Sequence, residues 1–77
     1  MTDKVPIKFE HEGKLYQGSF DLVSGSGNAY VWHLMIDKYY CGRLRIANDW
    51  VFDPTPKTLS FVELTDYFGW YITAWYQ

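Results

Sequence analysis

The side chains best suited to bind an anion are Arg43 and Arg45, two residues apart in the run YCGRLRI at Tyr40–Ile46. On a strand that spacing puts both guanidinium groups on one face, where their planar forks of donors can meet phosphate or carboxylate. His33 joins them if the two neighbouring runs pair as a hairpin. His33, Arg43 and Arg45 therefore form a candidate anion or single-stranded nucleic-acid face, although such residues more commonly keep the exposed side of a sheet soluble. The acidic balance of the chain, net charge −2, disfavours nucleic acid as a partner.

The same hairpin register places Met35 opposite Cys41, with His33 as the diagonal neighbour of Cys41 on the outer face. A thiolate beside an imidazole can ligate zinc or act as nucleophile and base. Two ligands do not close a site, His11 lies at the tip of another hairpin, and no spacing matches a zinc ribbon or a His-x-x-x-His pair. The reading is no metal and no cofactor. Asp37, Asp49, Asp53, Glu63 and Asp66 fall mostly at turns, strand ends or a helix face, with no partner placed for acid–base chemistry. The chain reads as non-catalytic. The glycines of SGSGN, residues 24–28, resemble a phosphate cradle only loosely, because the Lys-Ser/Thr ending of a P-loop is absent; the stretch reads as a mobile surface loop.

What the composition does supply is aromatic surface: seven Tyr, five Phe and four Trp in 77 residues. Large rings can substitute for the disulfides or metals that small domains often need. They also exceed what the apolar stripes absorb, leaving Trp70, Tyr39 and Tyr76 as candidate interface anchors. The function expected is protein–protein interaction or self-association, the partner being another protein or a second copy of this chain. The alternative is a module for single-stranded nucleic acid or a small ligand. A single cysteine, Cys41, rules out an intramolecular disulfide and fits a reducing compartment; with no signal-like stretch and no apolar run near the ~20 residues of a membrane span, a soluble cytoplasmic protein is expected, not a membrane protein.

The elements that would hold these residues follow from hydrophobic period. Residues 5–22 alternate around Glu12-Gly13, and a two-residue turn there sets Phe9 against Tyr16, Ile7 against Gly18 and Val5 against Phe20, all on one face. Tyr30, Trp32, Leu34 and Ile36 alternate with Val31, His33 and Met35, and Tyr40, Gly42, Leu44 and Ile46 continue the apolar phase after a three-residue loop, Asp37-Lys38-Tyr39. A third connection at Ala47-Asn48-Asp49 sets Trp50 opposite Ile46 and Phe52 opposite Leu44; Pro54 and Pro56 then end the strand. Ser60 and Glu63 have capping-box spacing, and Phe61, Leu64, Phe68, Tyr71, Ile72 and Trp75 share one helical stripe, with Trp70 opposite beside Glu63, Asp66 and Thr73. Gly69 argues for the alternative of a helix ending there and a sixth strand beyond it. The expected fold is α+β: one domain spanning 1–77, with a five-stranded antiparallel β-meander (strands about 5–11, 14–22, 29–36, 40–46 and 50–53) packed against a C-terminal helix at about 60–75. Trp32, Leu34, Leu44, Trp50, Phe61 and Phe68 should share its core.

Overall fold

The computed structural model describes residues 4–26, 29–46 and 48–76. Five strands, β1 (Lys4–His11), β2 (Lys14–Ser26), β3 (Ala29–Ile36), β4 (Tyr39–Ile46) and β5 (Trp50–Pro54), form one antiparallel sheet in sequential order. Two helical pieces follow: a 3-10 segment (Pro56–Leu64) and an α-helix, α1 (Thr65–Trp75). This is the expected α+β meander closed by a C-terminal helix.

The first hairpin has the register its alternation requires, with Phe9, Ile7 and Val5 facing Tyr16, Gly18 and Phe20 across a Glu12-Gly13 turn. Both turn residues have positive φ, the backbone that matches the twist of a two-residue hairpin. Strand β2 then runs beyond its expected end at 22. Ser24, Gly25 and Ser26 pair with Val31, Tyr30 and Ala29, and a bulge at Val23 absorbs one residue. The surface loop expected at 24–28 is thus largely strand, because main-chain pairing needs no core-forming side chain; residues 27 and 28 lie outside the described residues. The third connection holds Asn48 and Asp49, with Ala47 outside the described residues, and its expected pairs Trp50–Ile46 and Phe52–Leu44 are present.

The hairpin between β3 and β4 differs from expectation. Its loop has two residues, Asp37 and Lys38, both at positive φ, and Ile36 pairs with Tyr39 rather than Tyr40. Cys41 is then the extra residue of a bulge, after which Leu34 meets Gly42 and Trp32 meets Leu44 in the expected phase. The tight turn and the bulge together achieve what a three-residue loop would have done. Gly42 makes the bulge feasible at φ 148°, where any side chain would also strike the Phe52 ring.

The helical region begins earlier than the Ser60 cap suggests. Thr55 and Thr58 make the turn: Thr58 Oγ1 accepts the Thr55 N–H at 3.0 Å and donates to the Cys41 carbonyl at 2.6 Å. Ser60 and Glu63 lie inside the 3-10 segment and cap nothing. Proline at the first position of that segment explains the early start, since its fixed φ suits a helical turn and its missing N–H is no loss there. From Thr65 the helix runs unbroken through Gly69 to Trp75, so residues 70–75 are helix rather than a sixth strand. A Cβ on residue 69 would lie 2.5–2.7 Å from three atoms of the Trp50 indole. Glycine is where the helix crosses that ring.

The core is one cluster to which every strand contributes. Trp32, Leu34, Leu44, Phe61 and Phe68 are buried as expected, and Trp50 packs on them partly covered. Phe9 of β1, Phe20 of β2 and Phe52 of β5 each place a ring 5.2–5.3 Å from the Phe68 ring. Five strands at about 4.8 Å spacing would set β1 some 19 Å from β5 in a flat sheet. The sheet must therefore curl around Phe68. Tyr71 fastens the open side, its hydroxyl donating to the Pro6 carbonyl of edge strand β1 at 2.6 Å. Trp75, expected in the buried stripe, is half exposed at the last residue of the helix.

Candidate functional site

Of the three proposed anchors, Trp70 lies mid-helix and is 62% exposed. The stripe that buries Phe68 and Ile72 turns position 70 outward, and the residues one turn away, Asp66, Tyr67, Thr73 and Ala74, are exposed too. Tyr67, not among the anchors expected from the sequence, stacks on Trp70 with ring centroids 6.0 Å apart and planes 30° from parallel. Its i, i+3 spacing from Trp70 was the available signal. The outer face of α1 is therefore a paired aromatic surface with one carboxylate, Asp66, four residues before the indole. Glu63, expected beside Trp70, precedes α1 and turns its carboxylate toward His11 instead, 3.9 Å from Nε2. From Thr58 to Gln77 the chain has no Lys, Arg or His.

Tyr39 and Tyr76 are exposed as expected but belong to other surfaces. Tyr39, at the start of β4, lines a shallow recess of about 680 Å³ with Tyr40, Cys41 and Pro56. Tyr76, just past the helix end, lines one of about 370 Å³ with Leu22, Tyr30 and Trp32. In that second recess the Trp32 side chain is almost wholly buried, and its indole N–H has no hydrogen-bond acceptor among the described residues.

His33, Arg43 and Arg45 do share the outer face of the sheet, His33 pairing with Arg43 and Val31 with Arg45. The guanidinium groups are not free, however. Asp53 on β5 takes both, at 3.2 Å from Arg43 Nη2 and 3.0 Å from Arg45 Nε. Burial alone would raise the Asp53 carboxyl, but the hydrogen bonds and charges of Arg45 and Arg43 outweigh it and hold it below the usual carboxylate range. An incoming phosphate would have to displace this carboxylate.

The Cys41–His33 pairing does not form. The bulge rotates Cys41 toward the core cluster and gives the outer position to Tyr40, whose ring meets His33 edge-on at 4.9 Å. Burial pushes the Cys41 thiol above its ordinary value, and the Asp37 carboxylate adds to the effect. A thiol kept protonated is a poor nucleophile and a poor metal ligand. A scan of protein-family models, a search of curated proteins and a search of solved structures each found no match to this chain.

Proposed function

We propose that this is a non-catalytic binding module that docks a basic segment of another protein on the outer face of α1. The observation that carries the reading is Trp70, exposed and stacked on Tyr67, with Asp66 one turn away and no cation on the same stretch of chain. Leaving an indole in water forgoes burial worth about 1.5–3 kcal/mol. A rigid pair of rings costs little entropy to order and is the kind of surface that serves as a hot spot. An arginine laid across the indole would gain a cation–π contact and pair with Asp66 together.

Charge supports a distinct partner over a second copy. A two-fold contact centred on Trp70 repeats the same patch on both sides, setting Asp66 near its own symmetry mate, and residues 58–77 hold no cation to pair with it. The test is selection of displayed random peptides on the wild-type domain after depletion on Trp70→Ala. The reading expects enriched Arg or Lys beside an apolar residue. Enrichment of acidic peptides, or of none that discriminate the two proteins, would contradict it.

A second reading, small-ligand binding, is favoured by the recess of Leu22, Tyr30, Trp32 and Tyr76, an aromatic wall that includes Trp32, whose covered indole N–H has no acceptor among the described residues. Aromatic fragments bearing a hydrogen-bond acceptor should then shift the Trp32 indole NMR signal and lose affinity in Tyr76→Ala. Absence of any such shift would remove this reading.

A further inference from the structure

We infer that His11, Glu12 and Glu63 form a binding site for a divalent transition-metal ion of the zinc class. His11 is only 9% exposed, and its Nε2 is wholly covered yet has no hydrogen-bond partner among the described residues. An unpartnered ring nitrogen at such depth is uncommon, because desolvating it without a partner costs free energy. The polar atoms it faces are Glu12 Oε1 at 3.7 Å and Glu63 Oε2 at 3.9 Å. These are too far for hydrogen bonds. All three atoms lie within 4.8 Å of one another.

That spacing suits an ion placed between them. Zinc bonds to imidazole nitrogen and carboxylate oxygen at about 2.0–2.2 Å, so tetrahedral ligands stand about 3.3–3.6 Å apart. Each ligand atom need move by no more than about 1 Å. Phe61 holds the imidazole edge-on at 5.5 Å, fixing the ring, whereas Glu12 and Glu63 are 68% and 69% exposed and free to close on an ion entering from solvent. Two carboxylates and a neutral imidazole supply charge −2 for a dication and leave a fourth position to water. The nitrogen ligand favours zinc over calcium or magnesium, which prefer all-oxygen shells.

Lys14, opposite His11 in the hairpin, sits with its ammonium 5.3 Å over the Tyr16 ring and makes no ion pair among the described residues. A bound ion would tie the tip of the β1–β2 hairpin to the segment leading into α1, joining residues 52 positions apart in sequence. It would thus brace the base of the helix that carries Trp70, although the site does not depend on the reading of that helix as a docking face.

The experiment uses the full tag-free chain, stripped with chelator, titrated with zinc chloride at pH 7 by calorimetry and thermal melting. Expected are one zinc per chain, a melting point raised by about 5–10 °C at saturation, and a change in the His11 imidazole NMR signals. Glu63→Gln should weaken binding at least tenfold, while His33→Gln and Cys41→Ser leave it unchanged. Magnesium and calcium should give no shift. The inference fails if zinc at 1 mM leaves the melting curve and the His11 signals unmoved. It also fails if Glu63→Gln binds as tightly as wild type, or if Cys41→Ser abolishes binding.

Discussion

Replacing Gly69 by Ala sets two effects of opposite sign against each other. In an exposed helix interior the change would stabilise by about 0.8–1.0 kcal/mol through helix propensity. Here the new Cβ would come 2.5–2.7 Å from Cδ1, Cγ and Cδ2 of Trp50, against an ordinary carbon–carbon contact of about 3.5–4.0 Å. Those atoms are the base of the indole, so the overlap of about 1 Å cannot be relieved by bending a flexible tip. Either β5 or α1 must shift. Overpacking of this kind costs about 1–3 kcal/mol, and the net expectation is a loss of about 1 kcal/mol, or roughly 4–8 °C in Tm for a domain of this size. Urea unfolding of wild type, Gly69→Ala, Trp50→Ala and the double variant would measure it as a cycle. With Trp50 truncated, Gly69→Ala should become stabilising. A stabilising Gly69→Ala in the wild-type background would refute the close crossing of helix and ring.

The remaining expectations are smaller in scope. Trp32→Ala should cost about 3–5 kcal/mol and leave most of the chain unfolded at 25 °C by circular dichroism, since the side chain is buried at the centre of the sheet. Thr58→Val should lower stability by about 1–2 kcal/mol in urea titrations, because it removes both the donor to the Cys41 carbonyl and the acceptor of the Thr55 N–H. Asp53, whose folded-state pKa is depressed, should stabilise fully above about pH 4–5 and lose that contribution as pH falls through the folded value. Being partly exposed, it should be worth less than about 1 kcal/mol; the Tm gap between wild type and Asp53→Asn should narrow from pH 6 to pH 2. Cys41 should react with a thiol reagent at pH 7.5 more slowly than a free cysteine, given its partial burial and raised pKa.

Much of the sheet was legible because period-two alternation fixes a face, and a face fixes a register. Val5, Ile7 and Phe9 could lie inward only against Phe20, Gly18 and Tyr16. Where two local solutions give the same phase downstream, alternation cannot choose between them. A three-residue loop and a two-residue turn plus bulge both deliver Leu34 to Gly42, and only the second turns Cys41 inward and Tyr40 out. Gly69 misled for a related reason: its role is tertiary, set by Trp50 nineteen positions earlier, while propensity sees only its neighbours. Pairing of 24–26 with β3 is likewise a main-chain effect that side-chain pattern does not encode. Exposure of Trp70 was visible from helical geometry alone, at about 100° per residue. The meeting of Glu63 with His11 was not, because it depends on how the 3-10 segment sits over the hairpin tip.

The binding face on α1 is tested most directly by the affinity of one display-selected basic peptide for wild-type and Trp70→Ala protein, measured calorimetrically with melting curves alongside. Trp70 makes its close ring contact with the exposed Tyr67 and faces solvent, so its truncation should leave monomer stability within about 0.5 kcal/mol. The account predicts at least a tenfold loss of affinity with Tm nearly unchanged, and binding that weakens as salt is raised. Equal affinity for the two proteins, or a loss of binding that only follows a collapse of Tm, would contradict it.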